Sequence, residues 1–273
     1  IGCSHNKCSF CTMYRKTPFR VAPLEDVEMD LKELHDRGEK ITRIYLTNGD
    51  PFVLGTDRLV KIAELVHQYL PEVEVFTCYA SIQNLKAKSL EDLKILKSVG
   101  YDELYVGLET AYAPAVKLIN KGFTVEEAYE NIGKLKEAGM KYSALLMLGI
   151  GGKGHSKESV EATAALLNKY PPYRVSPLST AVLRGSELEE LCDKGEYVQL
   201  TERELIEEEK MLLRALKIND CIFFGSHPYN LITISGVLPQ DREEIIKHLD
   251  SEMAAWDRDQ PGFLDTVWKR TDM

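Results

Sequence analysis

Apolar positions along the chain follow two alternating rhythms. Short, nearly continuous apolar or β-branched runs occur at TRIYLTN (42–48), VEVFTCYAS (73–81), ELYVGLE (103–109), YSALLMLG (142–149) and RVSPLSTAVL (174–183). Runs of this length predict strands buried on both faces of a parallel sheet. Between them the spacing changes to three and four, as in Leu24, Val27, Leu31 and Leu34, or Val125, Ala128, Ile132 and Leu135. That is the period of a helix with one buried face. Ser89 with Asp92, Thr124 with Glu127, and Thr201 with Glu204 have the spacing of capping boxes. Gly38, Gly100 and Gly139 fall where helices should stop.

Repeated strand–helix units predict parallel strands, closed into a barrel or left as an open doubly wound sheet. Five strands follow a cysteine-rich loop at the head of the chain, and a loop in that place should itself follow a strand. A partial (β/α)6 TIM-type barrel accounts for the count. The chain starts at Ile1 rather than Met, so the first strand is expected to have been trimmed. Residues 1–200 are assigned to this barrel. Residues 201–273 change character, with a long helix at about 201–217, then CIFFGSHPYN, LITISGVLP and a helix near 240–250. They are expected to form a C-terminal extension packed on the barrel, being short for a core of their own.

Composition narrows the function. The net charge of -9 argues against a nucleic-acid surface, which needs clustered Lys and Arg. Small molecules or peptides are the expected substrates. No stretch of about 18 apolar residues predicts a membrane span, and no export signal is visible, so the cytoplasm is the expected location.

Six cysteines are present, and three of them, Cys3, Cys8 and Cys11, crowd into GCSHNKCSFC (2–11). In a chain without an export signal such a group marks a metal or redox site rather than disulfides. Two readings are open for three thiols. One is zinc completed by His5 or a distant histidine, in a non-catalytic regulatory module. The other is a four-iron cluster with one iron left for a small molecule.

The cysteine spacing, with Phe10 before the last thiol, resembles that of the radical S-adenosylmethionine (SAM) superfamily. The family's usual pattern is C-x3-C-x2-C, whereas here it is C-x4-C-x2-C. One added residue reaches at most about 3.5 Å further, and Asn6 is a turn former placed to absorb it. Further stretches match in order. NGDP (48–51) lies where the family carries its Gly-Gly-Glu-type motif, YVGLET (105–110) resembles its fourth strand, and LGIGGKG (148–154) its glycine-containing segment beside the adenine. SPL (176–178) and GSEL (185–188) resemble the sixth strand and following loop of the Elongator-like and coproporphyrinogen-oxidase-like branch.

The resemblance implies an oxygen-sensitive enzyme, an oxidoreductase or transferase. Cys3, Cys8 and Cys11 would hold a [4Fe–4S] cluster whose open iron chelates SAM. Phe10, Asn48, Gly49, Asp50, Ser81, Glu109, Gly149 and Gly151 would line the cofactor site. Asp50 would meet the SAM ammonium, Glu109 the ribose or amino group, and Gly149 and Gly151 the nucleoside. The reaction implied is reductive cleavage of SAM to a 5′-deoxyadenosyl radical, with cleavage of a different SAM bond as the variant. Lys7, Arg15, Lys16 and Arg20 place positive charge around the cysteines. They would suit an acidic electron donor such as flavodoxin or ferredoxin. Cys78, His227 and Tyr229 are further residues that could face a substrate.

Overall fold

The computed structural model describes residues 1–270. In chain order its helices and strands are α1 (Leu24–Asp36), β1 (Arg43–Leu46), α2 (Thr56–Tyr69), β2 (Val75–Ala80), α3 (Ile82–Lys86), α4 (Leu90–Ser98), β3 (Tyr101–Glu109), α5 (Ala113–Leu118), α6 (Val125–Glu137) and β4 (Lys141–Leu148). There follow α7 (Ser156–Lys169), β5 (Arg174–Ser179), α8 (Glu187–Asp193), α9 (Glu202–Ala215), β6 (Cys221–Phe224), β7 (Ser235–Leu238) and α10 (Arg242–Asp259).

The seven strands form one sheet in the order β1-β2-β3-β4-β5-β6-β7, so it has two edges and does not close on itself. β1–β2, β2–β3, β4–β5 and β5–β6 pair in parallel, and β6–β7 antiparallel. The five strands read from the sequence are present, with ends within four residues of those expected. The stretch read as a C-terminal extension supplies two more, because CIFF (221–224) pairs beside β5. No strand precedes β1 among the described residues.

Local sequence explains the helix ends. All three capping boxes form: Ser89 with Asp92, Thr201 with Glu204, and Thr124 with Glu127. α1, α4 and α6 each stop two residues before Gly38, Gly100 and Gly139.

The chain divides into two compact units. One comprises Ile1–Asn6, Tyr14–Gly107 and Tyr129–Tyr142; the other comprises Lys7–Met13, Leu108–Ala128 and the chain from Ser143 onward. In the first, alternate residues of β2, Phe76, Cys78 and Ala80, are buried with Leu59, Ile62, Leu93 and Leu96 from α2 and α4. Phe76 packs on Tyr101 with ring centroids 5.0 Å apart. In the second, Leu146, Val175 and Phe223 of the strands are buried together with Leu212, Leu213 and Leu249 of α9 and α10. A buried ion pair, Arg270 Nη2 to Glu202 Oε2 at 2.6 Å, fastens the last described residue to the start of α9.

Candidate cofactor site

In the first unit, Cys3 is half-buried and belongs to a short arm, residues 1–6, held by the turn after β1. Gly49 donates its N–H to Gly2 O at 3.1 Å. A Cβ at Gly49 would stand 2.5 Å from Gly2 O and 2.6 Å from Cys3 Cβ, so only glycine fits against the cysteine. Asp50 is 5% exposed. It accepts from Ser4 N–H at 3.3 Å, Ser4 Oγ at 2.6 Å and Asn84 Nδ2 at 3.4 Å. The turn expected at Asn6 is present: its φ is 43°, in the left-handed region asparagine tolerates. Its N–H donates to Cys3 Sγ at 3.4 Å. Asn48, also left-handed at φ 78°, is exposed beside Gly49.

Ser81 directly follows β2, at the strand end expected of it, and is the N-cap of α3. Its hydroxyl accepts from Asn84 N–H at 3.2 Å, and its own N–H donates to Asn84 Oδ1 at 2.8 Å. Lys88, buried behind the same turn, donates to Phe52 O at 2.7 Å and Leu54 O at 2.9 Å. Burial depresses its pKa to about 8.

Cys8 and Cys11 lie in the second unit. They bracket a tight turn, with Cys11 N–H donating to Cys8 O at 3.2 Å. Between them, Ser9 is fully buried, donating to Ile119 O at 3.0 Å and accepting from Leu188 N–H at 2.9 Å. Phe10 packs against a core of Ala115, Ile119, Met147, Ile150, Leu188 and Tyr197. Glu109 ends β3 with φ 61° and pairs with Lys121, Nζ to Oε1 at 2.6 Å. The two side chains are only 9% and 12% exposed. Burial opposes the Lys121 charge, but Glu109, Cys8 and Cys11 outweigh it and raise its pKa. Its ammonium lies 5.6 Å from the Phe10 ring centroid. Nothing in the sequence around Lys121 announced this role.

The glycine segment after β4 is pinned by its own chain. Gly149, at φ 79°, donates to Glu208 Oε1 at 2.7 Å and accepts from Tyr197 Oη at 2.8 Å. A Cβ there would come 2.7 Å from Leu205 Cδ2. Gly151 and Ile150 line a cavity of about 370 Å³. Tyr112 and His155 also line it, their rings stacked at 6.0 Å.

Three further residues had been raised for substrate contact. Cys78 is fully buried, and burial raises its thiol pKa well above the ordinary value. Strand alternation instead turns its neighbour Tyr79 to the open face. There Tyr79 forms an aromatic triangle with Tyr45 and Tyr105, with centroids 5.4 to 6.1 Å apart. His227 is half-buried with a lowered pKa, and its Nδ1 accepts Tyr229 N–H at 3.1 Å. The two rings meet edge to face, 5.1 Å apart.

The site chemistry fits an anionic iron–sulfur group. None of Cys3, Cys8 and Cys11 is in a disulfide, and none is fully buried. Lys121 supplies a buried cation beside two of them. Among the described residues no group of three or more His, Cys, Asp or Glu is gathered around a single-ion site.

The sheet is open and mostly parallel, and three cysteines stand near the head of the chain. The Radical SAM superfamily model matches residues 1–167, and the chain belongs to that superfamily. Among its relatives, an uncharacterized Methanocaldococcus jannaschii protein is 26% identical over 216 residues, covering 76% of this chain and 66% of the relative. The tRNA uridine(34) acetyltransferase of Methanocaldococcus infernus is 22% identical over 253 residues, covering 75% of this chain and 46% of that protein. Among solved structures, coproporphyrinogen III oxidase (HemN) from Escherichia coli, a radical SAM enzyme, superposes with a TM-score of 0.55. It is 15% identical, with 93% of this chain and 51% of that one covered, and shows the likeness of fold. The chain thus spans less than two thirds of these curated relatives' lengths. No helix among the described residues is long and apolar enough to cross a membrane.

Proposed function

We propose that this chain holds a [4Fe–4S] cluster on Cys3, Cys8 and Cys11 and cleaves S-adenosylmethionine reductively. The resulting 5′-deoxyadenosyl radical takes hydrogen from a small-molecule or peptide substrate. The observation that carries this reading is a trio of cysteines outside any disulfide at the head of a stretch matched to the radical SAM family. When bound, the cluster supplies the electron that breaks the sulfonium carbon–sulfur bond.

The chain's own residues bind and orient. Lys121 balances the negative charge gathered by Cys8 and Cys11, and Glu109 fixes the lysine in place. The main chain of Asn48 and Gly49 and the Asp50 carboxylate, which Ser4 and Asn84 orient, are the parts of the β1 turn that would meet the SAM ammonium. Gly151 borders a cavity with Tyr112 and His155, a setting suited to a nucleoside ring. Arg15, Lys16 and Arg20 are exposed and suit an acidic electron donor such as flavodoxin or ferredoxin. The family match favours iron–sulfur over the zinc module.

The test is anaerobic reconstitution with iron and sulfide, then reduction with dithionite in the presence of SAM. The expected product is 5′-deoxyadenosine. A different nucleoside would mean another SAM bond is cut. A preparation that takes up zinc instead of iron, and leaves SAM intact, would refute the proposal.

A further inference from the structure

Asp50 stands where a ligand for the SAM ammonium is expected, and its surroundings give it a second task within the chain. Its two oxygens receive three hydrogen bonds from this chain: Oδ1 from Ser4 N–H at 3.3 Å, Oδ2 from Ser4 Oγ at 2.6 Å and from Asn84 Nδ2 at 3.4 Å. Asn84 is itself 3% exposed. Its amide is oriented by the α3 capping box, because Oδ1 must face the Ser81 N–H at 2.8 Å. Only the amino end is then left to point at Asp50. On the other side of Cys3, Gly2 O accepts from Gly49 N–H at 3.1 Å. Residues 2 and 4 are therefore both tied to the same Gly49-Asp50 turn, and Cys3 is held between them.

We propose that Asp50 is a positioning residue that sets the Cys3 arm in place before any metal arrives. The Ser81–Asn84 box aims the amide that steadies Asp50, Asp50 pins Ser4, and Gly49 backs Cys3 at contact distance. Ser81 thus acts on the cysteine arm through two intermediates rather than by touching a cofactor. A charge-assisted bond such as Ser4 Oγ to Asp50 is among the stronger ties available to a surface loop. Its loss loosens the arm at Ser4 while the Gly49-to-Gly2 bond remains.

The inference rests on the cluster reading for its purpose but can be tested without metal. The reduced, metal-free chain is treated with N-ethylmaleimide, and the alkylation rates of Cys3, Cys8 and Cys11 are read separately by peptide mass spectrometry. Asp50→Ala is expected to accelerate Cys3 roughly fivefold to tenfold, with Cys8 and Cys11 unchanged as internal references. Asp50→Asn keeps one acceptor oxygen and should give a smaller increase. Ser4→Ala, which removes only the hydroxyl tie, should accelerate Cys3 less, and combining it with Asp50→Ala should add little, since that tie is already lost with the carboxylate. Equal acceleration of all three thiols, with a lowered melting temperature, would mean general loosening and overturn the proposal. An unchanged Cys3 rate would overturn it too. A Cys3-specific acceleration in a chain that never takes up iron would leave the clamp standing and remove the cluster reading instead.

Discussion

Glu209, on α9, offers a sharp test of how burial governs this fold. The residue is 3% exposed, and its Oε1 has no hydrogen-bond partner among the described residues. That atom rests against Gly225, where a Cβ would come within 2.8 Å of it. Burial raises the carboxyl from its ordinary 4.5 to about 8. The folded chain therefore keeps this proton between pH 4.5 and 8, while the unfolded chain releases it. Stability then falls as pH rises, because the native state binds more protons than the unfolded state. The contribution is fully present below pH 4.5 and is lost as pH climbs through about 8. At about 1.36 kcal/mol per pH unit, with both ends of the window partly titrated, the loss from pH 5 to 8 comes to roughly 3 to 4 kcal/mol. Glu209→Gln keeps the volume and removes the titration. Urea denaturation of both proteins at pH 5, 6, 7 and 8 isolates the effect, since other groups titrate equally in each. The variant should match the parent near pH 5 and exceed its stability by a growing margin towards pH 8. Parallel profiles would refute the argument and show that the carboxylate is solvated or paired.

Three other substitutions probe the packing around the site. Lys121→Met should destabilise the chain by about 3 kcal/mol in a denaturant titration, because it strands the Glu109 carboxylate in a buried place; a change below about 1 kcal/mol would show the pair to be hydrated. Asn230→Leu should be comparably damaging, as Asn230 accepts from Ser179 N–H and Oγ and donates to Pro177 O and Gly225 O, and thermal melting would register it. Gly49→Ala should lower iron uptake on reconstitution while Gly55→Ala, whose Cβ would meet nothing within 4 Å on an extended backbone, should not; equal uptake by both would dismiss the close approach to Cys3.

Much of the architecture was legible in the sequence because its causes are local. Strand runs, three-four helical spacing and capping boxes depend on residues within about four positions of one another. Ser89 and Thr201 close their boxes with residues three positions on. The cysteine trio was equally visible, since its meaning lies in spacing along one short loop. CIFF (221–224) was harder. Four residues carry little periodic signal, and the segment becomes a strand by pairing with β5 across a long gap in sequence.

What needed the folded chain is the work done by individual side chains. Ser4 meets Asp50 across 46 positions, and Asn84 reaches it across 34. Such partners are set by how strands and turns come together, and no pattern in a single sequence encodes them. The same holds for strand faces. VFTCYA fixes an alternation, but only packing decides that Cys78 turns to the helices and Tyr79 to the open side. The sequence therefore determined which elements form and where three thiols stand. Tertiary structure decided which carboxylate braces the first of them and which lysine faces the other two, because burial and hydrogen bonding are properties of positions in space.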